Sequence, residues 1–218
     1  MSHAEYCGQF VPIGGKVLDV GSGKGNFLRE MAGLGFDAYG VESSPERVFS
    51  AIGGKVVRAS AENLPFPDNH FDFVNCAEVS EHVDNPARML QEIFRVLKPG
   101  CRCYISFHNR WGVYDYHYHL HFINWMPRAW TGPILKFLGK QKEDGSAGRQ
   151  KLTTMHYYTY SRAAKLVRAA GFSAEDIRKE KIRKFFGATR LPFFVLYFTL
   201  LRPLYFNTFH LLLTKPIK

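Results

Sequence analysis

Short apolar runs and helically spaced apolar residues alternate along this chain. Val17-Leu18-Asp19-Val20 has the character of a buried strand, and it breaks at once into Gly21-Ser22-Gly23-Lys24-Gly25. Residues 26–34 then carry a helical pattern, so the stretch reads as strand, glycine turn, helix. Residues 36–41 predict a second strand ending in Glu42, and Ser43-Ser44-Pro45-Glu46 supplies a serine cap with proline at the first helical position. Further strands are predicted over 55–59, 71–75 and 101–107, a sixth somewhere in 173–183, and a last one over 208–214. Between them, Asn85-Pro86 opens a helix whose Met89, Leu90, Ile93, Phe94 and Leu97 form one apolar face, and Lys98-Pro99-Gly100 stops it. A further helix over 162–170 closes at Gly171.

The glycine spacing changes the chemical reading. A dinucleotide-binding turn is G-x-G-x-x-G, whereas this one is G-x-G-x-G with Asp19 two residues before the first glycine. A carboxylate there repels a pyrophosphate and attracts a ligand with a cationic end, and the glycines let that ligand lie on bare backbone. Glu42, roughly 20 residues on at the end of the next strand, is placed to grip ribose hydroxyls. The bland alternatives are a turn-capping role for Asp19 and a surface role for Glu42.

Four ordered blocks carry a family resemblance: VLDVGSGKGNF with YGVESS, ASAENLPFPDNHFDFVNCAEVSEHV over 59–83, and NPARMLQEIFRVLKPGCRCYIS over 85–106. Together they resemble the class I S-adenosylmethionine-dependent methyltransferases, in the subgroup of ubiquinone/menaquinone and other small-molecule methyltransferases. The resemblance is in register over 16–108 and looser over 157–214. It implies an α/β fold: a Rossmann-like, seven-stranded, mostly parallel sheet with helices on both faces and an antiparallel last strand. It also implies S-adenosyl-L-methionine as cofactor, with S-adenosyl-L-homocysteine as product. The cofactor residues it points to are Asp19, Gly21, Ser22, Gly23, Gly25, Asn26, Glu42, Ser43, Ala61, Glu62 and Cys76. Glu62 has a solvated alternative, and the family often carries Asp where this chain has Ser60.

The residues just after the fourth strand bear on the acceptor. Methyltransferases of amines often carry [DN]-P-P-[YF] there; this chain has Asn75-Cys76-Ala77-Glu78, which argues against nucleic-acid amines. A hydroxyl of a small or lipid-linked molecule, a sugar among them, is the favoured acceptor. The rivals are C-methylation of a quinone-like ring and a non-catalytic module that only binds the cofactor. An oxygen acceptor needs a base, and histidine titrates in the right range. His82, His108 and His119 are the candidates, with His117 beside them and with His108 and His119 preferred because they follow the fifth strand. His117, His119 and His121 alternate as metal ligands on a strand would, but no cysteine or acidic run accompanies them, so no metal site is expected.

Composition and charge add partners. The chain of 218 residues reads as one methyltransferase domain over 1–218, with a substrate-lid insertion at 108–156 and an apolar insertion at 185–206. Its net charge of +10 is uneven: residues 1–100 hold nine Lys/Arg against thirteen Asp/Glu, while residues 101–218 hold twenty against six. Such a basic half suits an anionic partner. Basic residues also precede the apolar stretch 191–201, which is too short to span a bilayer; together they suggest peripheral membrane contact through 178–206. Cys7, Cys76, Cys101 and Cys103 have neither metal nor disulfide spacing, and residues 1–10 lack a signal pattern, so a cytoplasmic protein, at most touching a membrane surface, is expected. Residues 1–15 look too short to close over a cofactor, so any lid is expected from elsewhere.

Overall fold

The computed structural model describes residues 1–49, 55–140, 142, 151–186 and 190–217. Its elements in chain order are α1 (His3–Gly8), β1 (Lys16–Val20), α2 (Asn26–Gly33), β2 (Asp37–Glu42), α3 (Pro45–Phe49), β3 (Lys55–Arg58), β4 (Phe71–Cys76), α4 (Pro86–Val96) and β5 (Leu97–His108). There follow β6 (Tyr114–Asp115), β7 (Leu120–His121), α5 (Arg128–Phe137), α6 (Tyr160–Ala169), β8 (Ser173–Asp176), α7 (Ile177–Phe186), α8 (Arg190–Leu196) and β9 (Thr208–Thr214).

Seven strands form one sheet in the order β3-β2-β1-β4-β5-β9-β8. The first five are parallel, and β9 is antiparallel to both β5 and β8. Strand order reverses between β1 and β4, and open α/β sheets bind ligands at the carboxyl edge of such a switch point. β4 is buried along its whole length, as a central strand covered on both faces must be. On one face α4 buries Met89, Leu90, Ile93 and Val96 beside Ala163 and Val167 of α6. The other face packs Leu28 and Met31 of α2 with Ala4 and Cys7 of α1 against Val17, Phe73 and Tyr104.

One local expectation changes. The sixth strand is only Ser173–Asp176, because the run Ile177–Phe186 continues as α7. Ahead of β1, Ser2 and Glu5 form a reciprocal capping box that starts α1, and α1 packs against α2. The segment after β5 carries a small core of its own, Tyr118, Ile123, Leu135, Leu152, Met155 and Tyr157.

Of the apolar stretch 185–206, residues 187–189 lie outside the described residues. Past α8 the chain continues as a π-helical turn over Tyr197–Tyr205 that contains Pro203. Asn109 accounts for its stability there. Its Nδ2 donates to the carbonyls of Arg202, Pro203 and Phe206 at 3.3, 3.0 and 2.8 Å, supplying donors where the wide turn and the proline leave backbone oxygens short. Among the described residues no helix is long and apolar enough to cross a membrane.

Candidate functional site

The glycine loop follows β1 as the pattern predicts. Gly21, Gly23 and Gly25 all have positive φ, at 73°, 54° and 79°. Gly21 is also fixed by space, since a Cβ there would stand 2.4 Å from Cγ2 of Val79. The amides of Gly21 and Ser22 both bond the Val41 carbonyl, which ties the loop to the end of β2. Asn26 opens α2, and Ser22 is buried with its hydroxyl unpartnered.

Beneath the loop lie two buried carboxylates. Asp19 pairs in register with Asn75 across β1 and β4, and Asn75 Nδ2 donates to its Oδ1 at 2.7 Å. Asn75 Oδ1 in turn lies 2.9 Å from His3 Nε2 on α1, so His3, Asn75 and Asp19 form a polar chain across three elements. Burial pushes the Asp19 carboxyl up to about 7; the Asn75 bond opposes that and the negative charge of Glu42 adds to it. Glu42 is buried too, and accepts from the amides of Gly23 at 3.0 Å and Ser44 at 2.9 Å. Two like charges kept from water on adjacent strands favour a cationic ligand between or above them.

A cavity of about 240 Å³ opens at the carboxyl edge of β1 to β4. Gly21, Ser43, Ala61, Glu62 and His82 line it, so the structure brings these five predicted residues to one place. Glu62 is also part of the scaffold. Its Oε1 accepts from the amides of Asp84 and Asn85 at 2.8 and 3.0 Å, just before α4. Cys76 is elsewhere. Its thiol lies in the core, 3.9 Å from Met89 Sδ, and burial raises its pKa.

The three candidate histidines separate. Buried His108 ends β5 in a cluster, with Nε2 at 2.6 Å from Oε2 of the exposed Glu78 and 3.1 Å from Oε1 of the buried Glu81. Burial alone would lower its pKa, but the bond to Glu78 and the negative charge of the nearby Glu81 outweigh it and hold it up at about 10. Glu78 is the reciprocal case: burial opposes its charge, and His108 with Ser106 brings it down to about 2. His82 stands beside this cluster, its Nε2 3.7 Å from Glu81. His119 does not join it: the residue is exposed, has a φ of 53°, and bonds Tyr114 at 3.1 Å.

Instead His117 enters, its ring 4.8 Å from that of His108 and its Nε2 4.0 Å from Glu81. Burial and the nearby His108 charge lower its pKa, which favours the neutral ring. Tyr157 donates to Asp115 and lies 3.3 Å from His117 Nδ1. With that hydroxyl hydrogen committed to Asp115, the contact requires His117 to carry its own proton on Nδ1, which leaves the Nε2 lone pair facing the cluster.

Glu78 was missed by the sequence reading, and so were Glu81, Tyr157, Asn75 and His3 as partners of the site. Glu78 carries a backbone signal: it is a non-glycine residue at φ 57°, clamped by Ser106, whose hydroxyl accepts from its amide at 2.8 Å and donates to its carboxylate at 3.1 Å. It also lines a second cavity, of about 670 Å³, with Tyr114, Tyr116, His121, Tyr205, Asn207 and His210.

Residues 18–105 match the family described as a methyltransferase domain. An uncharacterized methyltransferase of Mycobacterium sp. (strain KMS) is 38% identical over 100 residues, which are 44% of this chain and 40% of that protein. The chain thus matches less than half the length of this curated relative. A SAM-dependent methyltransferase structure from Methanosarcina mazei superposes with a TM-score of 0.63 at 19% identity, covering 100% of this chain and 99% of that one. Phosphoethanolamine N-methyltransferase 2 of Haemonchus contortus, solved with S-adenosyl-L-methionine, gives a TM-score of 0.60 at 17% identity, covering 98% and 52%. At these identities the structural likenesses speak for the fold.

Proposed function

We propose that this chain, whose residues 18–105 match a methyltransferase domain, transfers a methyl group from S-adenosylmethionine to a hydroxyl of a small or lipid-linked molecule. The observation that carries the reading is the pair of buried carboxylates, Asp19 and Glu42, set under a glycine loop at the switch point of the sheet. The residues present fit the cofactor. Asp19 suits its ammonium, Glu42 its ribose hydroxyls, and Ser43, Ala61 and Glu62 wall a cavity for its base. Ser22 Oγ, buried and unpartnered, is a further polar group for it, and the bare backbone at Gly23 has open space in front.

When bound, S-adenosylmethionine supplies a methyl group already activated by its sulfonium. The protein's share is then alignment, exclusion of water and disposal of the acceptor proton. The cluster of Glu78, Glu81, His108 and His117 handles the last of these. Within it His117 Nε2 has the open lone pair, while His108 is already protonated and serves as a charged donor. The acceptor binds in the larger cavity, where Tyr114, Tyr116 and Tyr205 offer ring faces to a sugar and Asn207 and His210 offer bonds to its hydroxyls. Contact with a membrane surface through the exposed apolar residues of 191–205 would bring a lipid-linked acceptor within reach.

The test is transfer of tritiated methyl from S-adenosylmethionine into soluble-glycan and lipid extracts. Label recovered on a sugar after acid hydrolysis supports the hydroxyl reading. Label in an apolar ring compound would replace it with C-methylation. Cofactor binding without label in any extract would leave a binding module.

A further inference from the structure

We propose that Glu81, His108 and His117 form a binding site for one divalent transition-metal cation. Their ligand atoms all lie within 4.8 Å of one another, and Glu81 is fully buried. At the centre is Glu81 Oε1, a buried oxygen that makes no hydrogen bond. Three imidazole nitrogens surround it: Nε2 of His108 at 3.1 Å, of His82 at 3.7 Å and of His117 at 4.0 Å. The single Nε2 hydrogen of His108 is directed to Glu78 at 2.6 Å, so it does not serve Glu81 as well. An unpaired carboxylate oxygen in such a place is costly, and a cation among the three ligands satisfies it.

The surroundings have the form that ligating histidines require. His117 is oriented through Nδ1 by Tyr157, and Tyr157 by Asp115, which aims Nε2 at the cluster. Asp115 is itself fixed, its Oδ1 accepting from the amides of His117 and Tyr118 at 3.0 and 2.9 Å. Two imidazoles and one carboxylate are a donor set for zinc, manganese or ferrous iron, with coordination positions left open. Metal–nitrogen bonds of about 2.0–2.1 Å place tetrahedral ligands about 3.3 Å apart, so the His108–Glu81 spacing already fits and His117 has to move in by up to about 1.5 Å.

The site also lies where a cation is useful. Glu78, bonded to His108, lines the larger cavity, while His82 beside Glu81 lines the smaller. The cluster is therefore at the junction of the two. Resting on the hydroxyl-methylation reading, the role follows. Coordination takes up the Nε2 lone pairs of His108 and His117, the His108 proton passing to solvent, so an acceptor hydroxyl on an open position of the cation then loses its proton to Glu78 in place of His117. The oxygen's electron pair forms the new C–O bond, and the C–S pair returns to sulfur.

The experiment is calorimetric titration of the chelator-treated protein with Zn²⁺ and with Mn²⁺, together with the visible spectrum of the Co²⁺-loaded protein. The expected result is one saturable site per chain, weakened at least about tenfold in Glu81→Gln and in His117→Ala. Circular dichroism melts confirm that both variants fold; if His117→Ala does not, Glu81→Gln and Tyr157→Phe carry the test. No saturable binding, or equal binding in the variants, overturns the proposal. A parallel titration with S-adenosylhomocysteine keeps the two readings apart. Metal binding without cofactor binding would sink the methyltransferase reading alone, and the reverse would sink the metal site alone.

Discussion

Asp19 shows how the fold sets the charge of a single residue. Burial and Glu42 lift its carboxyl to about 7, well above the ordinary carboxylate range. Its neutral form is favoured on folding, so its contribution to stability is full below the ordinary range and is lost as pH rises through about 7. A cationic ligand reverses that preference. Affinity for S-adenosylhomocysteine should therefore rise between about pH 6 and pH 8, and Asp19→Asn should flatten the rise; calorimetry across that range checks it. His119 makes the opposite case. On a continuous strand, residues 117, 119 and 121 would face one way. Here they belong to a tight β6–β7 hairpin, which sends His117 into the cluster, leaves His119 on the rim and places His121 in the larger cavity. Turnover, once an acceptor is known, should survive His119→Ala and fall at least about a hundredfold in His117→Ala.

At the scale of elements, the strand–loop–helix unit was legible because its signals are local: an apolar run, glycines at fixed offsets and an acidic residue on the next strand. The partners of that unit were not. His3 reaches Asn75 across 72 positions, and Glu78 and Glu81 meet His108 only because β4 and β5 are adjacent. Neither juxtaposition leaves a spacing to read. The glycine loop makes a graded prediction. Both Gly21→Ala and Gly23→Ala force a left-handed residue, at about 1–2 kcal/mol. Only Gly21→Ala also drives a Cβ into Val79, so it should lower melting temperature and cofactor affinity more than Gly23→Ala, as thermal shift with and without S-adenosylhomocysteine would show. Asn109 is the counterpart in the π-helical turn. Asn109→Ala removes the donor shared by three carbonyls and should cost about 1–3 kcal/mol in denaturant unfolding.

Over the whole molecule, the acidic half holds the glycine loop and the basic half holds most of the larger cavity and the exposed apolar surface. Leu191, Val195, Leu196 and Leu200 are exposed on the C-terminal side, and Trp130 and Phe137 on α5. Apolar side chains on a cationic half are the composition of an interfacial surface. The intact protein should co-sediment with anionic vesicles and less with neutral ones, and Leu191→Ser combined with Val195→Ser should weaken it; no sedimentation of the intact chain would end the membrane reading. The central claim, however, is that the carboxylates beneath the glycine loop hold S-adenosylmethionine. Calorimetric titration of the wild type, Asp19→Ala and Glu42→Ala with S-adenosylhomocysteine tests it most directly. The account predicts saturable binding by the wild type and at least about tenfold weaker binding by each variant. No binding by the folded wild type, or equal affinity in all three, would contradict it.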